Sequence, residues 1–241
     1  GVRLVGSEMC IRDRCNNEEI IQKARGKKIG FVFQDPQTSL NPLFKIKDQL
    51  IETIQTHDSS VGKVKAWQRS RDALGLVGIS APEERMNAYP HQFSGGMRQR
   101  VCIAIAMLNH PDLIIADEPV SALDVSIQSQ VLNLLNELIN DLGLTMIFIS
   151  HDLSVVRHMA DRIAVMYLGK IVELGDAVEV MSNPLHAYTK ALISAIPMLD
   201  PVSERKRERI VLNGDPPSPI EPVSYTHLRA HETDSYLVCR L

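Results

Sequence analysis

Residues 111–152 decide the fold class, and they read PDLIIADEPVSALDVSIQSQVLNLLNELINDLGLTMIFISHD. The apolar run DLIIA at 112–116 stops at an acidic pair and a proline, which predicts a buried strand. A stripe of aliphatic residues over 131–139 then predicts a helix, and LTMIFI at 144–149 predicts a second buried strand. Strand, helix and strand with short connections predict a right-handed crossover, and therefore an α/β fold with a parallel sheet.

Three further pieces surround this crossover. KIGFVF at 28–33 predicts another strand, because it is rich in strand formers and ends at a polar pair and a proline. From 46 to about 108 the apolar residues recur at three, four or seven positions, which predicts a helical insert. Further on, we expect a hairpin added to the sheet edge (163–167 and 170–174) and two helical pieces (176–181 and 185–196).

Composition excludes several classes of protein. The 241 residues are 44% hydrophobic, with 29 acidic and 26 basic side chains, and a net charge of −3 does not indicate a dedicated nucleic-acid binder. The sequence contains no run of about 18 consecutive apolar residues, so no membrane-spanning helix is expected. The four cysteines show neither a C-x-x-C pair nor metal-ligand spacing, so neither a disulfide framework nor a zinc site is expected.

An acidic pair stands at the carboxyl end of the central strand. Asp117 and Glu118 directly follow LIIA, where one carboxylate could serve Mg²⁺ and the other a water molecule. An acidic turn that merely ends the strand is an equal alternative for this pair taken alone. Open α/β sheets nevertheless place their ligands at this end of the strands.

Four other features occupy strand ends or helix starts, and each has a plain structural alternative. Ser94-Gly95-Gly96 precedes a helix expected near Met97, and its amides could bind a phosphate or simply cap the helix. His151 could contact a phosphate or water, or serve as a hydrogen-bonding residue near a helix start. Gln34 could offer its amide oxygen to a metal, and Asp124 could simply start the long helix.

Taken together, FVFQDP, QFSGGMRQR, LIIADEP, SALD and ISHD occur in an order and at separations that closely resemble the nucleotide-binding subunits of ABC transporters. The resemblance covers about 28–195 and implies a P-loop NTPase-like (RecA-like) core with an inserted helical subdomain. It implies that Gln34 is the Q-loop glutamine, Ser94 to Met97 the signature, Asp117 and Glu118 the Walker B pair, Asp124 the D-loop aspartate and His151 the switch histidine.

Within that superfamily the sequence looks like the ATPases of oligopeptide and dipeptide importers. FQDPQTSLNPLFKI, FSGGMRQR and NPLHAYTKALISAIP followed by GDPPSPIEP carry this likeness, although Ala187 stands where that branch usually has a proline. An importer for another solute, such as nickel, stays open, because the ATPase meets the membrane subunits rather than the cargo. So does a non-hydrolytic partner subunit that contributes only its signature and helical insert.

The motif G-x-x-x-x-G-K-[ST], whose amides and lysine would hold the β- and γ-phosphates, does not occur in the 241 residues. We expect that the chain is truncated at its amino terminus, and that 1–16 and 223–241 are not native, since they resemble translated sequencing adapters. The expected domains are a RecA-like core (17–39 and 111–182), a helical subdomain (40–110) and a C-terminal extension (183–222).

The resemblance also implies the ligands, partners and location. ATP and Mg²⁺ would bind between two such subunits, with the signature of one subunit against the P-loop of the other. Glu118 would polarise the attacking water, Asp117 and Gln34 would serve Mg²⁺, and His151 would stabilise the γ-phosphate. Membrane permease subunits, and indirectly a peptide-binding protein, would complete a transporter whose ATPase sits on the cytoplasmic face of the inner membrane, with no role for nucleic acid.

Overall fold

The computed structural model describes residues 24–196, which divide into two compact units at 149/150. The expected foreign ends, 1–16 and 223–241, lie outside the described residues. So do 17–23 of the expected core and 197–222 of the expected C-terminal extension.

A three-stranded parallel sheet organises the first unit. Its strands are β1 (Ile29–Val32), β2 (Leu113–Asp117) and β3 (Thr145–Ile149), in the spatial order β1-β2-β3. Val32 lies opposite Ala116, and Asp117 lies opposite Ile149, so the carboxyl ends of neighbouring strands meet at one edge. The three predicted strands and their parallel arrangement are therefore confirmed, with ends shifted by one residue.

Helices fill the sequence between β1 and β2, as the spacing of apolar residues predicts. In the helix α2 (Ile46–His57), Ile46, Leu50 and Ile54 are fully buried at intervals of one helical turn, which gives the helix one apolar stripe. A short helix, α1 (Pro36–Ser39), follows β1 and precedes the insert. The insert itself consists of α2, α3 (Lys63–Leu76), α4 (Pro82–Arg85), a 3-10 turn (Pro90–Gln92) and α5 (Gly95–Met107).

The crossover from β2 to β3 is the helix α6 (Val125–Leu142). Val131, Leu134, Leu135 and Leu138 form its buried stripe. Gly143 ends the helix with φ +63, and its N–H reaches the carbonyl of Ile139, a conformation in which glycine carries no Cβ penalty. The strand, helix and strand predicted from 111–152 are therefore present in full.

One face of the sheet is packed against α5. A Cβ at Gly30 would collide with the backbone carbonyl of Ala106, so only glycine allows the helix to approach this closely. The opposite face carries Phe31, Ile147 and Ile149, all of them exposed in the described part of the chain. Parallel sheets normally bury both faces, so this apolar surface is unusual.

The second unit is built on a β-hairpin. It contains α7 (Leu153–Met159), β4 (Arg162–Tyr167), β5 (Lys170–Asp176), α8 (Ala177–Ser182) and α9 (Ala187–Ala195). Leu168 and Gly169 both have positive φ, as a two-residue hairpin turn requires. The predicted hairpin is confirmed. The prediction that it extends the edge of the parallel sheet is wrong for the described residues, because β4 and β5 form a separate two-stranded sheet.

The helices of residues 24–196 are short or carry many polar side chains. None of these helices is both long enough and apolar enough to cross a bilayer.

Candidate functional site

The structure brings Gln34 and Glu118 together at the carboxyl edge of the sheet. Gln34 follows β1 and Glu118 follows β2, and these strands are parallel neighbours. The side-chain amide of Gln34 donates from Nε2 to Oε2 of Glu118 at 2.7 Å. Asp117, the last residue of β2, lies at the same edge, so three of the predicted site residues are placed at this end of the sheet.

The backbone of Glu118 is fixed by the neighbouring strand. Its N–H donates to the carbonyl of Ile149 at 2.9 Å, one position beyond the pairing of Asp117 with Ile149. Glu118 has φ +43, in the left-handed region that non-glycine residues seldom adopt. The second residue of the acidic pair therefore has an uncommon backbone conformation, and the functional role of the pair stays a prediction.

The loop after Gln34 is ordered by its own hydrogen bonds. Asp35 caps α1, and its Oδ1 accepts from the N–H of Gln37 at 2.8 Å. The carbonyl of Asp35 accepts from the hydroxyls of Thr38 and Ser39. These bonds hold the backbone that follows Gln34 and so restrict where its amide can point.

The predicted signature is the beginning of α5. Ser94 is the N-cap, and its Oγ accepts from the N–H of Met97 at 3.3 Å. The helix begins at Gly95 rather than near Met97, which corrects the predicted start, because the Ser94 cap outweighs the low helix propensity of two glycines. The amides of Gly95 and Gly96 therefore belong to the first turn, where amides lack partners within the helix.

The start of α6 lies directly behind the signature. A Cβ at Gly96 would collide with Cγ2 of Ile127, whereas one at Gly95 would meet Cδ2 of Leu123 at an ordinary 3.7 Å. Asp124 is the N-cap residue of α6, but its side chain makes no capping hydrogen bond. Asp124 therefore starts the long helix through its backbone, and its carboxylate is not used as a cap.

His151 is the one predicted site residue in the second unit. It follows β3 and precedes α7, in a turn where Ser150 Oγ accepts from the N–H of Asp152 and Asp152 Oδ1 accepts from the N–H of Ser154. Asp152, rather than His151, therefore caps the helix. The role of His151 stays a prediction.

The chemistry of the sheet edge suits a hard cation. Mg²⁺ prefers oxygen ligands and keeps several waters, so the carboxylate of Asp117 and the amide oxygen of Gln34 are suitable partial ligands. The described residues contain no group of three or more His, Cys, Asp or Glu that would form an all-protein metal site.

Burial raises the pKa of the Cys102 thiol to about 12, so this cysteine stays protonated at neutral pH.

Two structural residues near these elements carry no motif signal. Gln49 on α2 accepts from the N–H of Asn41 through Oε1 at 2.9 Å, and its Nε2 donates to the carbonyls of Asn41 and Phe44. This fixes a short loop from which Leu43 and Phe44 project, with 81% and 54% of their surface exposed. Sequence reasoning missed this clamp because a glutamine on a helix has no distinctive pattern.

Glu173 on β5 is the second such residue. Its Oε1 accepts from the N–H of Leu185 at 2.8 Å and its Oε2 from the N–H of His186 at 3.0 Å. Burial acts to raise the pKa of Glu173, but hydrogen bonding, with the N–H of Leu185 as the largest contribution, outweighs it, and the pKa is lowered. Glu173 thus ties the start of α9 to the hairpin.

Comparison with known proteins gives consistent matches. The family model described as ABC transporter matches residues 6–121, and the one described as oligopeptide/dipeptide transporter, C-terminal region, matches 172–224. Oligopeptide transport ATP-binding protein OppD of Bacillus subtilis is 47% identical over 206 residues, covering 86% of this chain and 57% of the relative. Dipeptide transport ATP-binding protein DppF of Escherichia coli is 47% identical over 211 residues, covering 88% and 62%.

Solved structures of ABC transporter cassettes also match this chain. The dimeric structure of MJ0796, a bacterial ABC transporter cassette, matches with a TM-score of 0.59 and 30% identity, covering 68% of this chain and 69% of that chain. The same cassette in a post-hydrolysis state with ADP and Pi matches with a TM-score of 0.58 and 30% identity, covering 67% and 68%. The predicted P-loop NTPase-like fold is confirmed. The chain spans about 57% to 62% of the length of the two curated relatives named above.

Proposed function

The chain belongs to the ABC transporter family of ATP-binding subunits, and from this membership we propose that it binds and hydrolyses ATP to power the import of oligopeptides or dipeptides. The observation that carries the proposal is the hydrogen bond between Gln34 and Glu118 at the edge of the sheet. It joins two of the five motifs that define the resemblance. The peptide branch is supported by the match over 172–224 and by the printed names of the relatives.

Glu118 is the proposed general base. Its carboxylate stands past the carboxyl end of β2, where it would accept a proton from a water molecule that attacks the γ-phosphate. Gln34 already reaches this carboxylate and would orient the same water. Bound Mg²⁺ would neutralise phosphate charge, with Asp117 and Gln34 as its protein ligands.

The signature would act on ATP held by another subunit. At the start of α5, the amides of Gly95, Gly96 and Met97 and the hydroxyl of Ser94 would bind the γ-phosphate, aided by the positive end of the helix dipole. Asp124 would face the other subunit, and His151 would stabilise the γ-phosphate. The dimeric cassettes among the structural neighbours support this arrangement of two subunits.

The helical insert would receive the membrane permease. Leu43 and Phe44 are large apolar side chains on a loop that Gln49 holds in place, close in sequence to Gln34. Exposed apolar residues on an ordered loop are suited to contact another protein. Through this contact the subunit would sit at the cytoplasmic face of the membrane, with a peptide-binding protein as an indirect partner.

The proposed division of the chain follows the motifs. A RecA-like core (17–39 and 111–182) would hold the catalytic edge, the subdomain at 40–110 would carry the signature, and 183–222 would form the extension of the peptide branch. In a working ATPase a P-loop would complete the site, and the exposed sheet face around Phe31 and Ile147 would accept its helix.

A mixed dimer tests the proposal with the chain as it stands. The 241-residue chain is combined with a P-loop-bearing cassette of a peptide-transport relative, and association is followed by analytical ultracentrifugation with ATP or ADP. We expect association with ATP only, because the signature of this chain would bind ATP on the other P-loop. Ser94→Arg should abolish it, and Ser60→Arg, in an exposed loop, should not. Equal association with ATP and with ADP would contradict the proposal, and so would a failure to associate with either nucleotide.

A further inference from the structure

Glu118 needs outside contacts to keep its backbone conformation. Its φ of +43 lies in the left-handed region, where the Cβ of an L-residue crowds its own backbone. Such residues persist where the surrounding structure holds them, and they concentrate at functional sites. The groups that hold Glu118 therefore decide where its carboxylate points.

Both peptide groups of Glu118 are engaged. On its amino side, the N–H donates to the carbonyl of Ile149, the last residue of β3, at 2.9 Å. On its carboxyl side, the carbonyl accepts two hydrogen bonds from Ser121, one from the backbone N–H at 3.2 Å and one from Oγ at 3.0 Å. Of these three bonds, only the one from Oγ of Ser121 comes from a side chain.

These three bonds fix the backbone of Glu118 and therefore the direction in which its side chain leaves the backbone. Its Oε2 accepts from Nε2 of Gln34 at 2.7 Å. A change in φ would swing the carboxylate away from Gln34, because the side chain leaves the backbone at the same Cα.

We propose that Ser121 is a positioning residue for ATP hydrolysis, whose hydroxyl holds Glu118 in its left-handed conformation and so aims the carboxylate at the reacting water. This rests on the proposed function of Glu118 as the general base. In this role the hydroxyl would act through Glu118 and would contact neither the nucleotide nor the attacking water. Ser121 is also the first residue of the segment that ends at Asp124.

A merely structural role for Ser121 has different consequences. Ser121 is exposed, and a hydroxyl that only supports the turn would contribute to stability without separating kcat from KM. A positioning role lowers kcat and leaves KM unchanged, because ATP binding does not involve Glu118. A threonine at this position keeps the hydroxyl and should keep the function.

Kinetics on a fusion protein make the first test. The chain is joined behind a P-loop-bearing amino-terminal segment of an ATP-binding relative, and its steady-state ATPase is measured. For Ser121→Ala we expect kcat to fall about fivefold and KM to stay within about twofold, as for the loss of one neutral hydrogen bond. Ser121→Thr should restore kcat. Ser129→Ala is the matched control, since Ser129 Oγ makes the same kind of bond to the carbonyl of Val125 on the exposed side of α6.

A crystal structure of the 241-residue Ser121→Ala chain makes the second test and needs no activity. We expect φ of Glu118 to leave the left-handed region and Oε2 to move out of hydrogen-bond range of Gln34 Nε2. An unchanged Glu118 in this structure, or an unchanged kcat in the fusion, would overturn the proposal for Ser121. A fusion with native Ser121 that hydrolyses no ATP would instead count against the proposed function, while the crystal structure would still decide the role of Ser121.

Discussion

Gln34 donates a hydrogen bond to the carboxylate of Glu118 across 2.7 Å, although the two residues are 84 positions apart in the chain. The bond joins the loop that leaves β1 to the end of β2. That loop continues through α1 to the segment that Gln49 clamps, from which Leu43 and Phe44 project. A movement of Leu43 and Phe44 would therefore be transmitted through only a few residues of the chain to the Gln34 amide that contacts Glu118.

Gln34→Glu should place two carboxylates within hydrogen-bond distance. Like charges so close favour a shared proton, so we expect the pair to titrate with one apparent pKa raised by about 1 or more above the ordinary 4.3. Carboxyl ¹³C shifts followed by NMR against pH measure this on the chain as it stands. Gln68→Glu, on the exposed side of α3, should titrate normally. Two ordinary pKa values in Gln34→Glu would contradict the expected close approach of the two carboxylates.

Glu118→Gln should separate ATP binding from hydrolysis. In the fusion with a P-loop-bearing segment, we expect nucleotide affinity to be retained and kcat to fall by about 10² or more, since an amide cannot accept the proton from water. Glu137→Gln, an exposed glutamate on α6, is the matched control and should keep its kcat. Turnover near the native rate in Glu118→Gln would remove Glu118 from the proposed role.

Gly96→Ala and Gly95→Ala should differ in stability. A Cβ at position 96 would collide with Ile127 on α6, whereas a Cβ at position 95 would make an ordinary contact with Leu123. We expect Gly96→Ala to lower the free energy of unfolding by about 1 to 3 kcal/mol, as overpacking does, and Gly95→Ala to change it by less than about 1 kcal/mol. Urea unfolding of both variants provides the measurement. Equal losses would show that α5 and α6 are not packed through Gly96.

Glu173 should make the start of α9 sensitive to acid. Because its pKa is lowered in the folded chain, its stabilising effect is present above the ordinary value of about 4.3 and is lost as pH falls through the lowered value. For Glu173→Gln we expect the amide of Lys190 in α9 to exchange its hydrogen about tenfold faster near pH 7, with the difference shrinking below pH 4. Glu179→Gln, an exposed glutamate in the same unit, should show no such pH dependence. A difference that persists at acid pH would contradict the ionic role of Glu173.

The sequence predicted the parts of the fold that repeat a simple pattern. Strands β1 to β3 are short apolar runs that end at polar residues, and α6 carries an unbroken aliphatic stripe. The meeting of Gln34 with Glu118 follows from the same pattern, because parallel neighbours deliver their carboxyl ends to one edge. Fold class and the centre of the candidate site were therefore predictable.

Other features depend on contacts between distant segments, which a local pattern does not encode. The left-handed Glu118 exists because Ile149 and Ser121 hold it, and nothing in DEP distinguishes it from an ordinary turn. The start of α5 at Gly95 depends on the cap from Ser94, against the propensity of two glycines. The separate sheet of β4 and β5 was missed because alternation shows a hairpin but not the sheet that it joins.

The bond between the Glu118 N–H and the carbonyl of Ile149 also sets an order of events during synthesis. A ribosome releases residues from the amino end, so the whole of α6 and β3 must emerge after Glu118 before this bond can form. Gln34 and β1 will have been available much earlier. The nascent chain can therefore collapse around its helical insert before the backbone of Glu118, the proposed catalytic residue, is fixed by β3. The geometry proposed for hydrolysis is thus among the last features of the first unit to form.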